Sequence, residues 1–253
     1  MKNRWLMAAA AIGVHISIGS VYAWSVVTKP LMNQFGWEIE YVSLTFSIAI
    51  FFVGISAAFF GNLVEKYGPR KTVSIAAVLF GAGLVGAGFA LNIKSLTLLY
   101  LTYGVFGGIG LGIAYIPPVV TLIKWFPDRR GLATGLAIMG FGFAALICGP
   151  VMNRLITSVG LPNMFYILGG VYFTVMLACS QYLAFPPAGW IPVGYKADIN
   201  NDNIVIKADI AQLTANQAIH TPHFYLLWLM LFINITCGIA IQWLHRLLRM
   251  SQK

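Results

Sequence analysis

Between Trp5 and Phe185 the chain repeats one pattern: a long apolar run free of charge, then a short charged or polar break. A helix needs about 20 consecutive apolar residues to cross the hydrocarbon core of a bilayer. Runs of this length predict spans at Trp5–Val27, Tyr41–Val64, Thr72–Ile93, Leu96–Ile123, Gly131–Asn153 and Leu161–Phe185. Backbone polar groups inside lipid must be satisfied within the segment, which leaves helices or a closed barrel. These runs are too long and too uniform for barrel strands, whose hydrophobicity alternates. The predicted fold class is therefore all-α, a polytopic membrane protein.

Composition agrees. Of 253 residues, 59% are hydrophobic and 9% charged, against roughly 25% charged in a soluble domain. The net charge of +9 would suggest nucleic acid in a soluble chain. Here it reads as topology, so no nucleic-acid partner is expected and the lipid bilayer is the surrounding medium. Val21-Tyr22-Ala23 has the look of a signal-peptidase site, but the apolar run is longer than a signal core and more spans follow, so the first span is read as retained. The cysteines Cys148, Cys179 and Cys237 lie in apolar runs without metal-ligand spacing, and no cofactor or metal is expected. Gly81-x-Gly83-x-x-Gly86 sits inside a span with no strand before it, so it is not a dinucleotide fingerprint. Nothing points to an enzyme or to catalytic residues.

Residues 1–185 form the predicted six-span unit. Residues 186–222 are polar, with Asp198, Asn200, Asn201, Asp202 and Asn203 close together, and read as an interdomain linker. Residues 223–244 read as a seventh span and residues 245–253 as a basic tail. With the N-terminus inside, the inner segments carry Lys2, Arg4, Lys66, Arg70, Lys71, Lys124, Arg129, Arg130, Lys196 and Lys207. The outer ones carry only Lys29, Lys94 and Arg154. That asymmetry predicts a multi-pass protein of the cell (inner or plasma) membrane with a cytoplasmic N-terminus. Seven spans would leave Arg246, Arg249 and Lys253 outside, against the rule, so residues 245–253 are expected to be out of frame with a longer parent or to follow a truncation.

The hinge Gly61-x-Leu63-x-Glu65-Lys66-x-Gly68-x-Arg70-Lys71, between spans two and three, resembles the loop signature of the major facilitator superfamily. Glu65 stands where that family usually has Asp, and Pro69 where a basic residue is common. Tyr22-Ala23-Trp24-Ser25, the segment Lys124–Gly135 and Thr221–Trp228 together resemble the oxalate/formate antiporter family, over the chain to about Ala240. The resemblance implies the N-terminal six-helix half of a major facilitator fold plus a seventh helix. It implies a secondary transporter of small organic anions, oxalate, formate or similar mono- and dicarboxylates, working by alternating access around a midplane site. Two alternatives stand beside it: a truncated remnant that transports nothing, and a half-transporter that pairs with a second copy in place of a missing C-terminal half.

Every Asp, Glu, Lys and Arg falls outside the predicted spans. The absence of intramembrane acids argues against a proton-coupled mechanism seated in this half. His15 is the histidine in mid-span, and helical spacing puts it on one face with Gly19 and Tyr22. It is either a pathway residue or a neutral histidine bonded to a neighbouring helix. Gly13, Ser17, Ser20 and Trp24 lie opposite, where small residues suit helix contact. Gly104, Gly108 and Gly112 form a small-residue stripe read as packing, and Gly135, Gly142 and Gly149 are read the same way. Pro117-Pro118 is expected to kink span four. By resemblance, Tyr115 and Phe141 join His15 and Tyr22 as substrate-pathway residues. Also by resemblance, the hinge residues Gly61, Glu65, Gly68 and Arg70 act with Arg129 and Arg130 as a cytoplasmic latch, Glu65 pairing with one of the two arginines. The plain alternative for these charges is a solvated or lipid-facing position, where an exposed pair is worth about 0–1 kcal/mol.

Overall fold

The computed structural model describes residues 3–187, 190, 192, 199–200, 203–204 and 215–251. It divides into two units, Met1–Tyr195 and Lys196–Lys253.

The first unit contains six helices long and apolar enough to cross a membrane: α1 (Arg4–Phe35), α2 (Ile39–Phe60), α3 (Leu63–Asn92), α4 (Leu96–Trp125), α5 (Pro127–Val159) and α6 (Leu161–Tyr182). The fold is all-α and polytopic, as the apolar runs require. Several boundaries differ from the sequence expectation. Residues 28–35, expected as loop, continue α1. A tight 3-10 turn over Ser20–Ala23 redirects the helix. The part beyond it buries Trp24, Val27, Thr28 and Leu31 on one face, and this burial holds residues 28–35 helical despite Lys29 and Pro30. The helix stops where Gly36 adopts φ 69° and donates its N–H to Met32 O. Lys29 and Arg154 consequently lie on helices.

The charged hinge is also largely helical. Gly68, at φ 78° and ψ 163°, separates a short first piece of α3 from the long one. Pro69 then opens the second piece, where a missing N–H is tolerated. The Thr72 hydroxyl donates to Gly68 O at 2.9 Å. In α4 the irregularity lies at Tyr100–Gly107, which is π-helical. Gly108–Trp125 runs as α-helix through Pro117 and Pro118.

Small residues set the helix contacts. The stripe on α4 lies against α2, because a Cβ on Gly108 would come 2.6 Å from Ala49 O and one on Gly104 2.7 Å from Ile48 Cγ2. Gly83 of α3 meets the backbone of Gly107, with 2.7 Å from a built Cβ to its nitrogen. Gly13 of α1 faces Cys179 of α6. In lipid, such close approach provides packing that hydrophobicity alone does not. The α5 glycines differ from the packing expectation: a Cβ on Gly135 or Gly142 meets nothing within 4 Å, and one on Gly149 only Val26 at 3.8 Å. The core between helices is aromatic, with Trp24 and Tyr103 ring centres 4.5 Å apart and the Trp24 indole N–H donating to Val42 O at 3.3 Å.

In the second unit, Ile199–Asn200 pairs antiparallel with Asn203–Ile204. Helices α7 (Ala215–Ile219) and α8 (Pro222–Ser251) follow. The helix expected at 223–244 therefore extends through most of the basic tail. Lys2, Asp198, Asn201, Asp202, Lys196, Lys207 and Lys253 lie outside the described residues.

Candidate functional site

Four helices open a cleft of about 250 Å³. Val21 and Tyr22 come from α1, Ile50, Val53, Gly54 and Ala57 from α2, Leu111 and Tyr115 from α4, and Phe141 from α5. The α2 residues recur at helical spacing, so one face of that helix forms a wall. Tyr22 and Phe141 meet edge to face at 5.1 Å, and Tyr115 and Phe141 at 5.2 Å. Among the described residues, the Tyr22 and Tyr115 hydroxyls take no hydrogen-bond partner. They are two donors set in an otherwise apolar wall.

His15 lies directly behind this wall. Its ring stacks on Tyr115 at 5.6 Å and stands 6.1 Å from Phe141. It is fully buried. Nδ1 lies 2.7 Å from Ala137 O of α5, and Nε2 lies 3.1 Å from Tyr115 O of α4. The structure thus brings His15, Tyr22, Tyr115 and Phe141 into one aromatic cluster. The arrangement can enclose a small molecule between phenol donors and apolar side chains. Among the lining residues none is charged, so an anion there must find its counter-charge elsewhere.

A polar layer ties one end of the bundle. Arg4 pairs with Asp128 at 3.1 Å and stands 5.1 Å over the Phe126 ring. Asp128 also lies 3.9 Å from Arg129. Arg70 donates to the Gln181 amide oxygen. Asn3 N–H donates to the Tyr182 hydroxyl at 3.1 Å, and the Trp125 indole N–H to Ala184 O at 2.7 Å. Gly61 caps the end of α2, and Gly68 lies within α3. Glu65, Arg129 and Arg130 are exposed. Glu65 is not brought to Arg129 or Arg130; among the described residues it makes no ion pair.

Sequence reasoning missed Arg4, Asp128 and Gln181 in this layer, and the α2 wall of the cleft. Asp128 could have been suspected, as the acid in an otherwise basic loop.

Six membrane-length helices, four of them lining a half-open cleft, define a multi-pass membrane protein. Residues 9–250 match the model of the Major Facilitator Superfamily, and the chain belongs to that family. It is 25% identical over 240 residues to an uncharacterized MFS-type transporter, YhjX, of Escherichia coli (strain K12), covering 95% of this chain and 56% of that protein. It is 27% identical over 235 residues to the oxalate:formate antiporter of Oxalobacter formigenes, covering 92% and 52%. It is 32% identical over 174 residues to monocarboxylate transporter 1 of Bos taurus, covering 67% and 34%. The chain spans about half the length of the first two of these relatives.

Proposed function

We propose that this chain forms part of a secondary transporter of small organic anions, oxalate, formate or similar mono- and dicarboxylates, rather than an enzyme. The observation that carries the reading is the cleft of about 250 Å³, lined by Tyr22 and Tyr115, whose hydroxyls take no partner among the described residues. Phenol donors suit a carboxylate oxygen, and the apolar wall excludes water around it. Relatives named as an oxalate:formate antiporter and as monocarboxylate transporters support the substrate class. His15, Tyr22, Tyr115 and Phe141 line or back the pathway. Gly61, Glu65, Gly68, Arg70, Arg129 and Arg130 act at the gating end, with Glu65 engaging its arginine in one conformation of the cycle and not the other.

In this reading the protein lies in the cell membrane with its N-terminus in the cytoplasm, and a second six-helix unit, from a C-terminal half or a second copy, completes the site. That unit supplies the fixed cation the cleft lacks. Counterflow of labelled oxalate and formate in proteoliposomes tests the reading. Saturable exchange, competed by unlabelled carboxylate, supports it; neither exchange nor binding of any small carboxylate sinks it.

A further inference from the structure

His15 has more acceptors than a neutral imidazole can use. Nδ1 lies 2.7 Å from Ala137 O and Nε2 3.1 Å from Tyr115 O. Neutral imidazole carries one N–H, so one of these carbonyls faces a ring lone pair. The imidazolium carries two N–H groups and satisfies both at once.

A buried cation without a counter-charge is costly. The groups facing His15 supply none. From α4 comes Tyr115, and from its own helix Tyr22, which meets Phe141 on the cleft side. From α5 comes Phe141, with Cys148 further along, its Sγ 3.9 Å from Ile16 O. From α6 comes Cys179, opposite Gly13. No carboxylate is among them. The missing counter-charge can come from the cleft one aromatic layer away, when an anion occupies it.

We propose that His15 takes up a proton from water as a carboxylate enters the cleft, so that the site holds one proton with each anion. This rests on the carboxylate reading above and adds its coupling. The step balances: a neutral imidazole, a proton and a carboxylate anion give an imidazolium beside a carboxylate, with no net charge added for formate, while the second negative charge of oxalate falls to the fixed cation of the completing unit. Acids are absent from the uncharged runs of the sequence and within the six helices lie only near the ends, but a histidine carries a proton without one. Because binding takes up a proton, affinity rises as pH falls, by up to about tenfold per pH unit where uptake is complete.

The test is calorimetric titration of oxalate and of formate into the chain, assembled with the six-helix unit that completes its site, in lipid nanodiscs near pH 7.5, in two buffers of different ionisation enthalpy. The buffer dependence reads protons taken up per anion. Uptake approaching one proton, abolished in His15→Asn with an affinity that no longer varies with pH, is the expected result. Nitrogen NMR of the histidine-labelled, unsubstituted chain gives a second readout that no folding defect can confuse. His15 should show one protonated ring nitrogen without oxalate and two with it. Binding without uptake, uptake that survives His15→Asn, or a His15 ring unchanged by bound oxalate overturns this inference and leaves the carboxylate reading standing. Failure of both anions to bind overturns the two together.

Discussion

Arg4 reaches across 124 residues of sequence to place Nη1 3.1 Å from both carboxylate oxygens of Asp128. The pair fastens the start of α1 to the start of α5. Beneath it, Trp5 and Phe126 meet edge to face at 5.3 Å. Both charges are partly shielded from water, so the interaction exceeds that of a fully solvated pair. A double-mutant cycle of Arg4→Ala and Asp128→Ala, read by unfolding in mixed micelles, should give a coupling energy of about 1 kcal/mol. Additive effects would show that the pair contributes nothing.

Gly108 and Gly142 should respond oppositely to the same substitution. A methyl at Gly108 meets Ala49 O at 2.6 Å and Phe52 Cβ at 2.9 Å, so α2 and α4 must separate. Gly108→Ala should destabilise by about 1–3 kcal/mol. At Gly142 a Cβ meets nothing within 4 Å, and Gly142→Ala should stabilise by about 0.5–1 kcal/mol through helix propensity. Equal effects in thermal unfolding would remove the packing account of the α4 stripe.

Gly68 adopts φ 78° and ψ 163°, a region essentially reserved for glycine. A Cβ there would touch nothing within 4 Å, so any penalty is a backbone one. Gly68→Ala should cost about 1–3 kcal/mol through strain alone. Straightening α3 instead would relieve the strain and show as a changed protease or crosslinking pattern at Gly61–Lys71.

Removing the cleft hydroxyls tests the anion site. Each of Tyr22→Phe and Tyr115→Phe deletes a donor and little volume. A hydrogen bond to a charged group is worth about 1.5–3 kcal/mol. Each change should therefore weaken oxalate binding by roughly tenfold or more, with stability unaltered, because neither hydroxyl bonds within the protein. Unchanged affinity in both would move the anion elsewhere.

The spans were legible because an uncharged run of membrane length has few other fates. The face shared by His15 and Tyr22 followed from spacing, and the α4 packing stripe from its glycines. Tyr115 and Phe141 came only through resemblance, since an aromatic residue in an apolar run carries no mark of what it faces. The α2 wall was illegible for the same reason: nothing in an all-apolar helix distinguishes the turn that looks inward. Lys29 and Pro30 misled at the end of α1, where burial of Val27 and Leu31 outweighs local propensity. The Arg4–Asp128 pair joins residues too distant for any periodicity to connect.

The order in which α1 meets its neighbours shapes how the protein is made. The Arg4–Gly19 portion of α1 packs chiefly against α4, α5 and α6, which are synthesised last of the six. The first helix to enter the lipid must therefore wait there while most of the bundle is built. Ser17 and Ser20 wait without penalty, because their hydroxyls donate to Gly13 O and Ser17 O of the same helix. His15 cannot, because both of its acceptors belong to residues made 100 and 122 positions later. Until α4 and α5 arrive, its ring is an unsatisfied polar group in hydrocarbon. Their docking then relieves that penalty, so His15 favours late closure of the bundle around the first helix.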